Sequence, residues 1–424
     1  MVSIESNVLQ LPKLIINNNY TTFYPPYSIL EYGPYEKGNI NKIEFLYPKD
    51  INFNVNFESL FNAPKNAPFS ENKDYYFNNW ITNPLSISHR EIQDINQVFN
   101  YIKDKDLLYI IIHNGPVRKE IYWKSKIQGI KNNSKLQFID IKHLINKNGY
   151  IIFNLWIQML AKCNGTPWKI NAPTKDESIA TNNLIIGISY SKSEDNNYNY
   201  GIVHYVDLLN LYQIIEIQPL RKKESKNLVL DDEEIKQIIE GGIDWYKNKS
   251  SPLNIDKLNI YIYKTTQLYK PEENGLIKLL DQNSTIENIT HIHVKQGGLV
   301  PRIYNLDNDY YDTIGHYFKI SASNQSDKKF VYRGKLILSL TGKLNNNKPL
   351  GTPVPLFLNI HSTKNNVLDI IAKQLIAMKT IDWGTTSLQN SKIFALKYSK
   401  KIAEASQYIK NLDEINPIDI RYLL

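Results

Sequence analysis

Cysteine is nearly absent: the 424 residues contain one, Cys163. A single thiol excludes an intramolecular disulfide framework and a cysteine-built zinc site, and it fits a reducing compartment. Glycine is also scarce, at 18 residues. No glycine-rich phosphate loop follows the early apolar runs, which argues against a nucleotide-binding enzyme of the doubly wound type. No stretch approaches the roughly 18 consecutive apolar residues that a membrane-spanning helix needs. The first residues lack a basic segment followed by an apolar one, so they do not read as a signal peptide, and the expected location is the cytoplasm. With 42% apolar and 12% aromatic residues, the composition excludes a disordered chain.

Fifty Lys and Arg against 42 Asp and Glu give a net charge of +8 and a pI near 9.0. That surplus favours polyanionic partners mildly, so lysines carry weight only where a site collects them. The chain is rich in Asn, Ile, Lys and Tyr, and Asn patches such as Asn17–Asn19, Asn196–Asn199 and Asn345–Asn347 read as loops. No internal repeat is apparent.

The first 37 residues, with Pro25, Pro26, Gly33 and Pro34, read as an irregular arm packed on the second half of the chain. A first unit spans 38–167, and from about 80 to 165 its pattern becomes periodic and alternating. Ile92, Ile95, Val98, Phe99 and Ile102 recur at helical spacing, and Leu107–Ile112 is a buried strand. A helix opening at Pro116, a strand at Leu136–Ile139 and a helix at Ile151–Ala161 follow, stopped by Asn164-Gly165 and Pro167. Strand and helix alternating at this pitch predict a parallel sheet covered on both faces. A second unit, 168–424, shows strands at Leu184–Ile188, Gly201–Leu208, Leu258–Tyr263, Thr290–Val294, Val331–Leu340 and Pro355–Ile360. Helices at Glu233–Tyr246, Val367–Met378 and Ile393–Lys410 complete a larger mixed sheet.

Tyr122 and Lys126 leave one helical face after the first buried strand, near a helix end that attracts anions. Gln137 lies on the next strand and Lys162 ends the helix after it, so a doubly wound unit brings the four to one sheet edge. The same spacing also describes a solvated helix face, with Lys162 complementing a helix carboxyl end.

The order Tyr122, Lys126, Gln137 and Lys162, the last within Ala161-Lys162-Cys163-Asn164-Gly165-Thr166-Pro167-Trp168, resembles the guide 5'-phosphate pocket of the MID domain of Argonaute proteins. The resemblance continues through the second unit. His293-Val294-Lys295 before Pro301-Arg302-Ile303, Thr341-Gly342, and Gly351-Thr352-Pro353-Val354-Pro355-Leu356 are similar to PIWI-domain signatures, and Trp383-Gly384 through Tyr398 to the closing helix region. The length is that of short prokaryotic members, which have MID and PIWI domains and lack PAZ. The resemblance implies an α/β fold, a Rossmann-like MID domain with a parallel sheet plus an RNase H-like PIWI domain with a mixed sheet.

It also implies partners: a 5'-phosphorylated guide, expected to be RNA, a complementary target, expected to be DNA, and an effector or accessory protein encoded nearby. A membrane-associated effector would be the only route to a membrane. The implied role is antiviral defence or abortive infection. Mg²⁺ is expected at the guide phosphate, with Leu424 similar to apolar tails whose terminal carboxylate helps hold it; two leucines equally make a packed terminus. Lys295, Arg302, Lys397, Lys400 and Lys401 are expected to contact nucleic-acid backbone.

Two-metal phosphodiester hydrolysis needs clustered carboxylates. Where active PIWI domains have Gly-x-Asp, this chain reads Gly187-Ile188-Ser189. Thr265 stands at the second Asp position, and Phe357 at the third ligand, an Asp or His in active members. No motif places the family's glutamate. A hydroxyl is a poor ligand for a dication and a phenyl ring is none, so the expected protein has no catalytic metal and does not cleave. The competing reading is a nuclease whose acids come from elsewhere, such as Asp195, Asp207 or Asp256. Thr290-His291-Ile292-His293-Val294 reads as structural, because two imidazoles on one strand face have no third ligand nearby. The Arg221–Lys226 run reads as a solvated loop, with contact to nucleic-acid backbone as the alternative.

Overall fold

A computed structural model describes residues 3–23, 25–51, 60–61, 76–145, 149–171, 182–192, 198–205, 213–217, 229–249, 257–295, 314–321, 329–340, 355–384, 393–409 and 418–424. The chain divides into two compact units. The smaller comprises Lys13–Asn171, Asp382–Thr386 and Tyr408–Leu424, and the larger Met1–Pro12, Ala172–Ile381 and Ser387–Gln407.

The first strand, β1 (Ser3–Val8), belongs to the larger unit. The smaller unit continues with β2 (Leu14–Ile15), β3 (Thr21–Thr22), α1 (Pro25–Tyr32), β4 (Lys42–Pro48), β5 (Ser86–Ile92), β6 (Leu108–His113) and α2 (Lys119–Lys131). After these come β7 (Lys135–Asp140), α3 (Ile141–Ile145), α4 (Gly149–Lys162) and β8 (Lys169–Ile170). The arm expected over 1–37 is therefore divided. Its first strand goes with the larger unit, while Lys13 onward is tied to the smaller one by β2 pairing with β8 and by main-chain bonds such as Glu36 N to Thr166 O. The same pairing keeps Trp168–Asn171 in the smaller unit.

Strands β5-β4-β6-β7 form a fully parallel sheet in that order, so the chain reverses its direction of progress beside β4. The apolar run from Leu108 to Ile112 is buried throughout because both faces are covered. One face packs Leu46, Tyr109, Ile111 and Leu136 against Ile121 of α2 and against Val98 and Ile102. On the other, Phe45 begins a chain of rings through Phe61 and Phe77 to Trp156 of α4. The helical spacing from Ile92 resolves differently from expectation: Ile92 ends β5, and only Ile95–Tyr101 is helical, as a 3₁₀ turn capped by Asp94. The Asp94 carboxylate offers the chain a local alternative to a longer helix.

The larger unit contains β9 (Asn183–Lys192), β10 (Tyr198–Tyr205), β11 (Gln213–Ile217), α5 (Asp232–Lys249), β12 (Leu258–Lys264), α6 (Lys270–Gln282) and β13 (Ile286–Lys295). It closes with β14 (His316–Ser321), β15 (Tyr332–Leu338), β16 (Leu356–Ser362), α7 (Leu368–Thr380) and α8 (Phe394–Ala405). The strands lie in the order β1-β14-β15-β16-β13-β12-β9-β10-β11. Only β12 is parallel to its two neighbours, β9 and β13, and the other pairs are antiparallel, so the sheet is mixed as expected. Leu184, Ile186 and Ile188 of β9 and Ile260 and Ile262 of β12 face α5 and α6 in one core. On the opposite face Gly187 meets α8, where an added Cβ would lie 2.6 Å from the Ala395 carbonyl oxygen. Glycine there lets helix and strand approach closely. No helix among the described residues is long and apolar enough to cross a membrane.

Candidate functional site

Strand β7 is the outer strand of the parallel sheet, and the four residues singled out by spacing all border it. Lys126 extends from α2 across the edge, its Nζ donating to the main-chain oxygens of Leu136 at 2.7 Å, Tyr422 at 3.0 Å and Leu424 at 3.2 Å. Lys162, the last residue of α4, donates to Gln137 Oε1, and Gln137 Nε2 donates to the Phe138 carbonyl at 3.2 Å. The Tyr122 ring lies 5.0 Å from that of Phe138, with Lys126 Nζ 5.6 Å from its centroid. Lys126 starts seven residues into α2, about 10 Å along its axis, so its ammonium serves the strand edge and not the helix amino terminus.

Burial marks this site out. Lys126 is 2% exposed, Lys135 4% and Lys162 0%. Lysine is rarely buried to this degree, because removing an ammonium from water is costly unless partners compensate. Lys135 shares the Gln137 face of β7 by alternation, and its Nζ lies 4.8 Å from the Tyr422 ring centroid. Burial lowers the Lys135 pKa, opposed most by Asp419. Lys135 and Lys162 are close enough to act on the Cys163 thiol, yet burial dominates and pushes that thiol up to about 12, leaving it unreactive.

The carboxy-terminal segment Ile418–Leu424 covers the β7 edge. Tyr422 Oη donates to Asn133 Oδ1, and Arg421 is held by Asp419 through Nε at 2.8 and 3.0 Å. Leu423 and Leu424 are buried, as expected of a packed terminus. An Mg²⁺ ion at this edge would meet a buried ammonium. The main-chain oxygens of Tyr422 and Leu424 are engaged by an ammonium, which would repel a dication. Among the described residues no group of three His, Cys, Asp or Glu suits a metal.

Lys135, Asn133 and Phe138 also belong to this edge, and helical spacing does not reach them. Alternation along β7 points to Lys135, two residues before Gln137. Nothing local points to Asn133, whose left-handed backbone, φ 52°, belongs to the turn after α2.

In the larger unit, Ser189 is buried and its hydroxyl donates to the Leu396 carbonyl of α8 at 3.2 Å. Thr265 directly follows β12, beside β9. Phe357 pairs with Lys295 of β13 and so shares the face of His293 and Lys264, opposite to that of Ser189. Register thus separates Phe357 from Ser189 by the thickness of the sheet. Lys264 and Glu272 form a buried ion pair on that second face, and Glu272 also accepts from Leu230 N at 2.9 Å. Lys397 and Lys401 lie 5.0 and 5.1 Å from the Tyr398 ring centroid, Lys400 is exposed, and Lys295 ends β13 exposed. Arg302, Thr341-Gly342, Gly351–Val354, the Arg221–Lys226 run, Asp195, Asp207 and Asp256 lie outside the described residues.

No family model and no curated protein matches the sequence. Among solved structures, the chain is similar to an Argonaute of Clostridium butyricum, bound to a guide DNA with 5' deoxycytidine and a 19-mer target DNA. The TM-score is 0.66 at 20% identity, over 96% of this chain and 53% of that one. The fold is Argonaute-like. The parallel sheet of the smaller unit corresponds to a MID domain and the mixed sheet of the larger to a PIWI domain, and the chain spans about half the length of that Argonaute.

Proposed function

We propose that this chain acts as an Argonaute that holds a 5'-phosphorylated guide, pairs it with an invading nucleic acid, and passes recognition to a partner effector without cutting. The observation that carries the reading is the trio of buried lysines around one strand edge. A phosphate there would gain charge-assisted bonds from Lys126 and Lys162 and a neutral one from Gln137, offsetting the cost of keeping ammonium groups out of water. Base pairing would supply sequence recognition while the protein reads the backbone. RNA is the guide and DNA the target that we favour. The similar Argonaute was captured with a guide and a target that are both DNA.

Absence of cleavage rests on Ser189 and Thr265, neither of which ligates Mg²⁺ well, while Phe357 lies on the opposite face of the sheet. With no cutting centre of its own, the chain would need a companion to turn recognition into antiviral defence, and any membrane association would come through that companion.

The decisive experiment compares guides with a 5'-phosphate and a 5'-hydroxyl on wild type and on Lys162→Ala. The wild type should prefer the phosphate at least tenfold, since one bond to a charged group is worth about 1.5–3 kcal/mol. Lys162→Ala should lose most of that preference while keeping affinity for 5'-hydroxyl strands. Equal binding of both guides by the wild type refutes the proposal.

A further inference from the structure

A second cationic cluster lies in the larger unit, on the sheet face that carries α6. Register places His291, His361 and Arg333 in one row across β13, β16 and β15, and His293, Asn359 and Lys335 in the next. Side chains directly opposite on neighbouring strands share a face and touch. Lys264 of β12 is the partner of His293. The His291 and His361 rings meet edge to face with centroids 6.4 Å apart, and Asn359 Nδ2 lies 3.4 Å from His293 Nδ1.

The anomaly is His291. It is 1% exposed, yet neither ring nitrogen has a hydrogen-bond partner among the described residues, and Arg333 Nε is likewise buried without one. Buried polar groups are almost always satisfied by protein, water or a ligand. The surroundings decide which ligand. Lys264, Lys295, Arg333 and Lys335 bring positive charge from three strands. The facing acids on α6 are Glu272, bound to Lys264, and Glu273, 3.1 Å from Lys270 Nζ. A metal cation is disfavoured by that charge, and an apolar occupant would leave the imidazole and guanidinium donors unpaired. An oxyanion meets both requirements, because its oxygens accept from Arg333 Nε and from the imidazole N–H groups while its charge complements the field.

We propose that the row His291, His361 and Arg333 binds a phosphate group, either free phosphate or a phosphodiester of a nucleic-acid strand. The row belongs to the larger unit, and its occupancy does not depend on guide binding at β7. Burial first, then Lys264, holds the His291 pKa well below its usual value, and burial followed by Arg333 lowers that of His361. Both rings are thus neutral at pH 7, each with one N–H to donate, and a bound anion would raise both pKa values.

The test labels the eight histidines of the full chain and follows their ring resonances by NMR. Phosphate at millimolar concentration should shift the signals assigned, by substitution, to His291 and His361. Arg333→Gln and His361→Gln should each weaken the response about tenfold, the worth of one charge-assisted bond. Arg333 is only partly buried, so its replacement leaves a folded reference. Because the readout is local, phosphate taken up at the β7 edge does not register as success. A 5'-hydroxyl oligonucleotide forms the second arm: a shift with either probe supports the proposal, and a shift with the oligonucleotide alone assigns the site to strand backbone. The proposal is overturned if neither probe shifts these signals, if chloride at equal ionic strength shifts them equally, or if both variants respond as wild type.

Discussion

Replacing Lys126 by methionine separates two roles that the β7 edge combines. The substitution keeps most of the apolar stem and removes the ammonium. Three main-chain oxygens then lose their donor: Leu136 at 2.7 Å, Tyr422 at 3.0 Å and Leu424 at 3.2 Å. A bond from a charged donor is worth about 1.5–3 kcal/mol, but the three share one desolvated ammonium and do not add. Breaking a buried charged network by removing one member costs about 3–5 kcal/mol, which sets the expected loss. Water reaching Leu424, itself 8% exposed, would bring the value toward the lower end. Urea unfolding of the full chain measures the loss, and limited proteolysis should show Ile418–Leu424 released first, because its main tie to α2 is gone. A loss below about 1 kcal/mol with an equally protected segment would refute the structural role of Lys126. The same sample, titrated with 5'-phosphate and 5'-hydroxyl guides, shows whether Lys126 also serves the phosphate. Its ammonium has three N–H donors, and three acceptors already engage it. A direct phosphate contact must therefore displace one of them, most readily Leu424, the most distant.

Three further outcomes are expected. Gly187→Ala should destabilise the larger unit by about 3 kcal/mol in chemical unfolding, since its Cβ would press on the Ala395 carbonyl at the β9–α8 contact and only backbone movement relieves it. Stability should also fall in acid. Burial, followed by nearby cations, lowers the pKa values of His291, His293 and His361 below 6.5, so the unfolded chain takes up protons first. Their contribution is complete above about pH 6.5 and declines as pH drops from there toward the lowered folded values, which unfolding at constant ionic strength will follow. Finally, with guide, paired target and Mg²⁺ or Mn²⁺ the protein should not cut, and Ser189→Asp alone should not create cleavage detectable on a sequencing gel. A single guide-directed cut by the wild type would favour acids such as Asp207 or Asp256.

Periodicity and turn residues made the core strands and most helices of both sheets legible in advance. Leu108–His113 and Leu258–Lys264 are apolar throughout because they are covered on both faces, a pattern visible without any tertiary information. Strands β4 and β5 were not legible in the same way. β5, Ser-Ile-Ser-His-Arg-Glu-Ile, is largely exposed at the other edge of the parallel sheet, so no second face demanded apolar residues. Helix α6 opens with Lys-Pro-Glu-Glu, a polar start whose meaning comes from Glu272 folding back to accept from Tyr269 N and from Lys264 in the adjacent strand.

The candidate site divides along the same physical line. Residue types and spacing name Tyr122, Lys126, Gln137 and Lys162, but spacing cannot say that their ammonium groups are out of water. That burial is a tertiary property: the oxygens engaging Lys126 come from β7 and from Tyr422, 296 positions away, and they enclose the lysine only once the edge strand is covered. The same holds for the positions that the resemblance would assign to a cutting centre. Alternation along one strand assigns each residue a face, but whether Phe357 meets Ser189 depends on the pairing of β16 with β13 and of β13 with β12, and that register puts them on opposite faces. A carboxylate placed at 357 would therefore lie beside Lys295, with which it would pair, on the face that also carries His293 and Lys264. An Asp at 189 would project instead at α8. A two-metal site needs its ligands converging on ions about 4 Å apart, and on this sheet the two positions are held apart by the strands themselves.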